Sequence, residues 1–163
     1  MSCNKYAPHV LAIPEDDANR QILNGFHLAL PVIAMSRFQV LEEAGGWHEV
    51  LNKFKSDQIS AMRKFDQRLI LLVLDFDDRG QGRMNKVAEC IPEDMKNRVF
   101  AVGARGEPED LRKAGLGSFE EIGAKLAEDC RSGSHSIWGH QLLQNNETEL
   151  ARMNERLRPV LFP

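Results

Sequence analysis

Cysteine is scarce and unpatterned in this chain: Cys3, Cys90 and Cys130 are odd in number, widely spaced and form no C-x-x-C pair. That excludes a disulfide framework and a thiolate zinc site, and it makes a reducing cytoplasm the expected compartment. Long apolar runs are missing as well. The N-terminal stretch has no signal-peptide core, and no segment approaches the roughly 20 apolar residues that span a bilayer, so no membrane partner is expected. Positive charge is not in excess. The net charge of −3 argues against a strongly basic nucleic-acid scaffold, while leaving room for a local groove of Lys and Arg. A G-x-x-x-x-G-K-[ST] loop is absent, and Gly80-Gln81-Gly82 is too short for a dinucleotide fingerprint, so nucleoside-triphosphate hydrolysis has no support. The sequence also lacks repeats, low-complexity tracts and any Pro/Gly-rich linker. The sequon Asn146-Glu147-Thr148 carries no meaning in a cytoplasmic protein.

What is present fits one ordinary globular domain. The 163 residues, 42% hydrophobic and 28% charged, suffice to bury most of their apolar surface. Apolar runs alternate with helical patterns, the signature of β-α-β units around a parallel sheet. His9–Ile13 reads as a first strand stopped by Pro14, and a helix follows from about Asp16 with Ala18, Ile22 and Phe26 on one face. Arg37–Leu41 reads as a second strand ending near Gly45-Gly46, before a helical face of Trp47, Val50, Leu51 and Phe54 that Ile59, Met62 and Phe65 continue after a break. Leu69–Leu74 is the third strand, followed by a helix from Gly82 to Cys90, and Arg98–Val102 is the fourth. Beyond it the pattern is helical. Ser118 is an expected N-cap for the face Phe119, Ile122, Leu126 and Cys130, and Leu150, Met153, Leu157 and Leu161 form a last amphipathic stripe that covers the sheet. The expectation is a single-domain α/β fold of about four parallel strands flanked by helices, with a core over residues 8–110 and a helical extension over 111–163.

Chemistry concentrates in Leu69-Ile-Leu-Leu-Val-Leu-Asp-Phe-Asp-Asp-Arg-Gly80. An unbroken aliphatic strand, buried on both faces, delivers Asp75 and Asp77 in a D-x-D-x-x-G frame. Ligand sites in open α/β sheets form outside the carboxyl ends of such strands. Glu15 follows the first strand as Asp75 follows the third. If the two strands are neighbours, Glu15, Asp75 and Asp77 converge and repel one another until a cation neutralises them. Mg2+ suits such a set, with Mn2+ as its substitute, because it takes a few carboxylates and fills its other positions with water and phosphate oxygens. Asp16 and Asp17 read as caps or helix-dipole partners, and Glu107-Pro108-Glu109-Asp110 reads as another helix start. Arg79, Arg83, Lys86 and Arg105 either line the same rim and meet phosphates or form a solvated face. His135 and His140 flank Trp138, and that segment reads either as an acid/base group or as a loop packed under the indole.

Leu11-Ala12-Ile13-Pro14-Glu15, Gly45-Gly46 and Asp75-Phe76-Asp77 with Gly80, taken in that order, resemble the TOPRIM domain family. Topoisomerases, bacterial primases, small maturase-type nucleases and recombination-repair proteins share that domain. The similarity covers about residues 8–110. It implies Mg2+ held by Asp75 and Asp77, with Glu15 sharing the ion or acting as general acid/base in phosphodiester chemistry. In the nuclease branch a further acid near the fourth strand helps hold a second ion, and Glu107, Glu109 and Asp110 lie where such a ligand is drawn from, with Glu109 the one taken as a metal ligand. Arg79, Arg83 and Arg105 would then contact nucleic acid. Topoisomerase chemistry needs a tyrosine, and the only one, Tyr6, precedes the first strand. The chain departs from the family where Asp16-Asp17 follow Glu15 in place of glycine.

The resemblance therefore implies a metal-dependent nuclease acting on DNA or RNA, in mobile-element or phage-defence biology, with a homodimer or a partner protein completing the nucleic-acid surface. Two alternatives stand beside it. One is a response-regulator-receiver-like module, with Glu15-Asp16-Asp17 as the acidic pocket and Asp75 as phosphoacceptor. Gly103 stands where that module needs a hydroxyl, and Asp77 has no role in it. The other is a non-catalytic TOPRIM-like fold that binds a metal or a partner.

Overall fold

Four apolar strands make one all-parallel sheet in the order β2-β1-β3-β4. The computed structural model describes residues 3–163. Strands β1 (His9–Pro14) and β3 (Arg68–Val73) occupy the centre and are buried along their whole length. They pair in register from His9 with Arg68 to Pro14 with Val73. β4 (Val99–Val102) flanks β3, and the short β2 (Phe38–Val40) flanks β1. The expected second strand, Arg37–Leu41, shrinks to three residues because an edge strand is held on one side only.

Side chains alternate across this sheet with the period of two that a strand imposes. Val10, Ala12, Leu69, Leu71, Val73, Phe100 and Val102 face one layer; Leu11, Ile13, Ile70, Leu72, Leu74, Val99 and Ala101 face the other. The first layer is built from α1 (Asp17–Leu28) and, further along the chain, a long helix at Phe119–Ser132. The second holds α2 (Trp47–Lys53), a π-helical turn at Phe54–Gln58, α3 (Ile59–Lys64) and α4 (Gly80–Cys90). The break expected after Phe54 is thus one wide turn inside a continuing helix. A short helix α5 (Pro108–Lys113) follows β4, and Phe119–Ser132 is α6. Ser118 caps α6 as expected, accepting the Glu121 N–H at 3.2 Å.

Helices α1 and α6 cross backbone to backbone. A Cβ placed on Gly25 would lie 2.0 Å from the Glu120 carbonyl oxygen, and one on Gly123 would lie 1.9 Å from that of Ile22. Only glycine permits this approach, which lets α1 and α6 pack side by side on one face of the sheet.

The C-terminal stripe continues the domain. α7 (Glu147–Arg156) and α8 (Arg158–Leu161) bury Leu150, Met153 and Leu161, with Leu157 between them. More than apolar cover is involved, because the outer edge of β4 needs hydrogen-bond partners. The Glu149 carboxylate accepts the Ala101 N–H at 2.8 Å, and Asn146 Oδ1 accepts that of Gly103 at 3.0 Å. Asn146 Nδ2 donates to the Gly103 carbonyl at 3.0 Å, and Arg152 donates to that of Val99 at 3.3 Å. Side chains here do the work of a fifth strand. Asn146, the sequon asparagine, is consumed by these bonds and buried. Among the described residues, no helix is long and apolar enough to cross a membrane.

Candidate metal centre

Because β1 and β3 are neighbours in register, the residues leaving them arrive side by side. Glu15 extends β1, its N–H bonding the Val73 carbonyl at 2.9 Å. Its own carbonyl accepts the N–H groups of Gly45 and Gly46 at 2.8 and 3.2 Å. Both glycines sit at positive φ, 99° and 150°, a backbone conformation that residues with a side chain rarely adopt, and this lets the chain after β2 curl over Glu15. The Glu15 carboxylate turns toward β3 and accepts the Asp75 N–H at 2.6 Å.

Asp16 caps α1, its carboxylate accepting the Asn19 N–H at 3.0 Å. The buried Asn19 amide then bridges two acids, donating to Asp16 at 3.0 Å and to Asp75 at 2.9 Å. Among the described residues, Glu15, Asp16 and Asp75 form a group whose oxygens lie within 4.8 Å of one another. All are half-buried.

The electrostatics follow from this crowding. Burial pushes the Asp75 carboxyl up to about 7; the charges of Glu15, Asp16 and Glu109 add to the rise and the Asn19 hydrogen bond opposes it. Glu15 is also raised, chiefly by burial and then by Asp16 and Asp77, against the Asp75 N–H and the charge of Arg83. The donor set is all carboxylate oxygen, without sulfur or imidazole, which fits a hard divalent cation such as Mg2+ and does not fit zinc.

The remaining site residues from the sequence lie around this group. Asp77 follows Asp75 onto a turn where Asp77 and Asp78 hold φ of 50° and 57°. The turn is tied down by the Asp77 and Asp78 N–H groups, which bond the carbonyls of Gly106 and Arg105 at 3.2 and 2.7 Å. Asp77 is exposed and lies 3.8 Å from Arg83 Nη2, outside the close group. Glu109 sits half-buried in the first turn of α5, near enough for its charge to raise Asp75. Asp110 accepts the Glu107 N–H at 3.1 Å, the helix-start role expected for that segment. Arg79 is exposed beside α4, and Arg105 is exposed and paired with Asp78 at 3.3 Å. Arg83 is buried, and it stacks over Trp47 at 4.6 Å.

Asp16 was a site candidate only in the receiver-like alternative and otherwise a cap, and Asn19 and Trp47 were candidates in neither reading. For the first two a signal exists. Asp16 and Asn19 have N-cap spacing, which fixes a carboxylate and an amide at the helix start nearest Glu15. Trp47 gave no sign beyond following two glycines. The His135–His140 loop belongs elsewhere. Buried Asp129 gathers it by accepting the Ile137 and Trp138 N–H groups at 2.7 and 3.1 Å, and Trp138 donates its indole N–H to Leu126 at 3.2 Å. Comparison with protein-family models, curated proteins and solved structures gives no match.

Proposed function

We propose that Glu15, Asp16 and Asp75 hold Mg2+, or Mn2+ in its place, and that the protein processes nucleic-acid phosphodiesters in the manner the TOPRIM resemblance implies. One observation carries this reading: three half-buried carboxylates meet within 4.8 Å at the carboxyl ends of neighbouring parallel strands. Mutual repulsion and burial make that arrangement unfavourable without a counter-charge. Bound there, the cation would act as a Lewis acid on a phosphoryl oxygen and orient it for displacement.

The chain's own residues divide the remaining work. Asn19 holds Asp16 and Asp75 in one orientation through its two donated hydrogen bonds. Glu15, held against the exit of β3 by the Asp75 N–H, either shares the ion or acts as general acid/base, the two roles the resemblance implies. Glu109 is the acid available for a second ion. Arg79 and Arg105, exposed on the loops beside the site, are the phosphate contacts. Asp77, exposed on the turn after Asp75, is the further ligand that the resemblance implies. The cytoplasm is the proposed compartment, and a second copy or a partner protein the proposed source of further nucleic-acid surface.

Incubation with single- and double-stranded DNA and RNA in Mg2+ or Mn2+ tests the proposal. Metal-dependent cleavage is expected from the parent and its loss from Asp75→Asn; cleavage equal in both would sink it.

A second reading has a specific observation in its favour. Glu15 and Asp16 beside Asp75 reproduce the acidic pocket and phosphoacceptor of a receiver module. Against it, a Cβ on Gly103 would lie 1.7 Å from the Leu74 carbonyl oxygen, so the hydroxyl-bearing residue of that module has no room. Stable acyl-phosphate on Asp75 after acetyl-phosphate treatment would favour this reading over the first.

A further inference from the structure

A single buried guanidinium crosses the acidic mouth. Arg83 projects from α4 with only 9% of its side chain exposed. Its face lies over the Trp47 ring, 4.6 Å from guanidinium carbon to ring centre. Nη1 donates to the backbone carbonyl of Asp75, and Nη2 lies 3.8 Å from the Asp77 carboxylate. Nε is buried without a hydrogen-bond partner among the described residues. One side chain thus joins three segments: the loop that Gly45-Gly46 turns over Glu15, the exit of β3 through Asp75–Asp77, and α4 itself.

A group so enclosed is poorly placed to meet a phosphate from solvent. Burying a cation without a close carboxylate is unfavourable, and the nearest one here stands at 3.8 Å. A point charge would not need this placement. A planar fork does, because it donates along fixed directions while its face stacks on an aromatic ring. Its hydrogen bond goes to the backbone of Asp75, whose carboxylate belongs to the close acidic group.

We infer that Arg83 is a positioning residue of the cation site: it fixes the Asp75 backbone, and so the aim of its carboxylate, and couples site occupancy to Trp47. The inference rests on the proposed reading of Glu15, Asp16 and Asp75 as cation ligands.

Calorimetric titration with Mn2+ at pH 8 separates the possibilities. Arg83→Lys keeps the charge and loses the fork and the stack; Arg83→Met loses all of them. Both are expected to bind Mn2+ about 10- to 100-fold more weakly than the parent, as when a group that orients a ligand is removed. A guanidinium acting only as charge would oppose the cation, so Arg83→Met would bind as tightly as the parent or tighter, and that result overturns the inference. Trp47→Leu leaves the arginine's hydrogen bonds in place and is expected to cost about 3- to 10-fold, below the range for losing the group itself. If the Arg83 variants fail to fold by circular dichroism, an unchanged affinity in Trp47→Leu overturns the inference by itself. Titration of the parent with Mg2+ is expected to shift tryptophan emission, and Trp47→Leu to abolish that shift while calorimetry still records binding. A parent that binds Mn2+ with silent tryptophan emission overturns the coupling. A parent that binds no Mn2+ removes the cation site itself, and the inference falls with it.

Discussion

The two ends of the central strand pair bury polar groups in opposite ways. At the amino-terminal end, His9 and Arg68 are register partners and both are buried. His9 Nδ1 donates to the Ala7 carbonyl at 2.8 Å, and His9 Nε2 accepts from Arg68 Nε at 3.0 Å. Arg68 Nη1 donates onward to Gln58 at 3.1 Å, and its guanidinium lies 5.2 Å from the Phe65 ring centre. This is a chain of donors and acceptors, each matched to the next. At the carboxyl end, three carboxylates face one another, and among the described residues the side-chain donor that bridges two of them is Asn19. One end is satisfied by its own side chains; the other is left with negative charge to spare. A buried network completed from within serves the fold, whereas one left open serves a ligand.

The largest expected effect comes from opening the closed end. Arg68→Ala strips His9 and Gln58 of their donor and empties the space beside Phe65, so a loss of about 2–4 kcal/mol is expected in urea unfolding. A loss below 1 kcal/mol would show that the network is not the structural half of the comparison.

Relieving the open end should act in the reverse sense. Asp75 is raised from 3.8 to about 7 in the fold, so its contribution is fully present below the unfolded value and is lost as pH rises through about 7. Asp75→Asn should therefore stabilise the metal-free protein at pH 8, on the order of 1–2 kcal/mol once screening at this partly exposed site is discounted. His9 has the opposite sign. Burial is the main cause holding its pKa below 6.5, so its contribution is complete above that value and is lost as pH falls through the lowered one. Thermal midpoints measured across pH 4–9 check both slopes. Asp75→Asn should flatten the decline toward neutral pH while leaving the loss on the His9 side, and Mg2+ should raise the parent's midpoint most above pH 7.

The smallest effect distinguishes two aspartates. Asp77→Asn should change stability by less than about 0.5 kcal/mol, because the side chain is exposed and asparagine tolerates positive φ. Asp16→Asn should weaken Mn2+ binding more than Asp77→Asn does, as calorimetry would record. The reverse order would mean that the turn at Asp77 closes onto the ion and displaces Asp16 from the ligand set.

The strands were legible because a buried parallel strand has to be apolar without interruption, and His9–Ile13, Leu69–Leu74 and Arg98–Val102 each shift by only a residue at one or both ends. The helix starts at Asp16 and Ser118 were legible because capping is chemistry between residues three apart. Other features had no local mark. Glu149 and Arg152 lie outside the apolar stripe of that helix, and nothing near them in the sequence marks them before α7 docks and aims them at the edge of β4. Arg83 read either as a rim cation or as part of a solvated face, and the ring it packs against belongs to Trp47 at the start of α2, far away in sequence.

By itself, then, the sequence determined a parallel sheet and the delivery of acids to its carboxyl edge, since apolar period and strand ends are local properties. Which acids meet was settled only by the tertiary structure. Glu15 and Asp75 touch because β1 and β3 are adjacent and in register. Asp16 enters the group because it caps α1 and the Asn19 amide ties it to Asp75, and Asp77 lies outside it on a turn that runs at positive φ. Proximity between residues sixty positions apart is a matter of strand order and turn direction, neither of which any short stretch of the chain encodes.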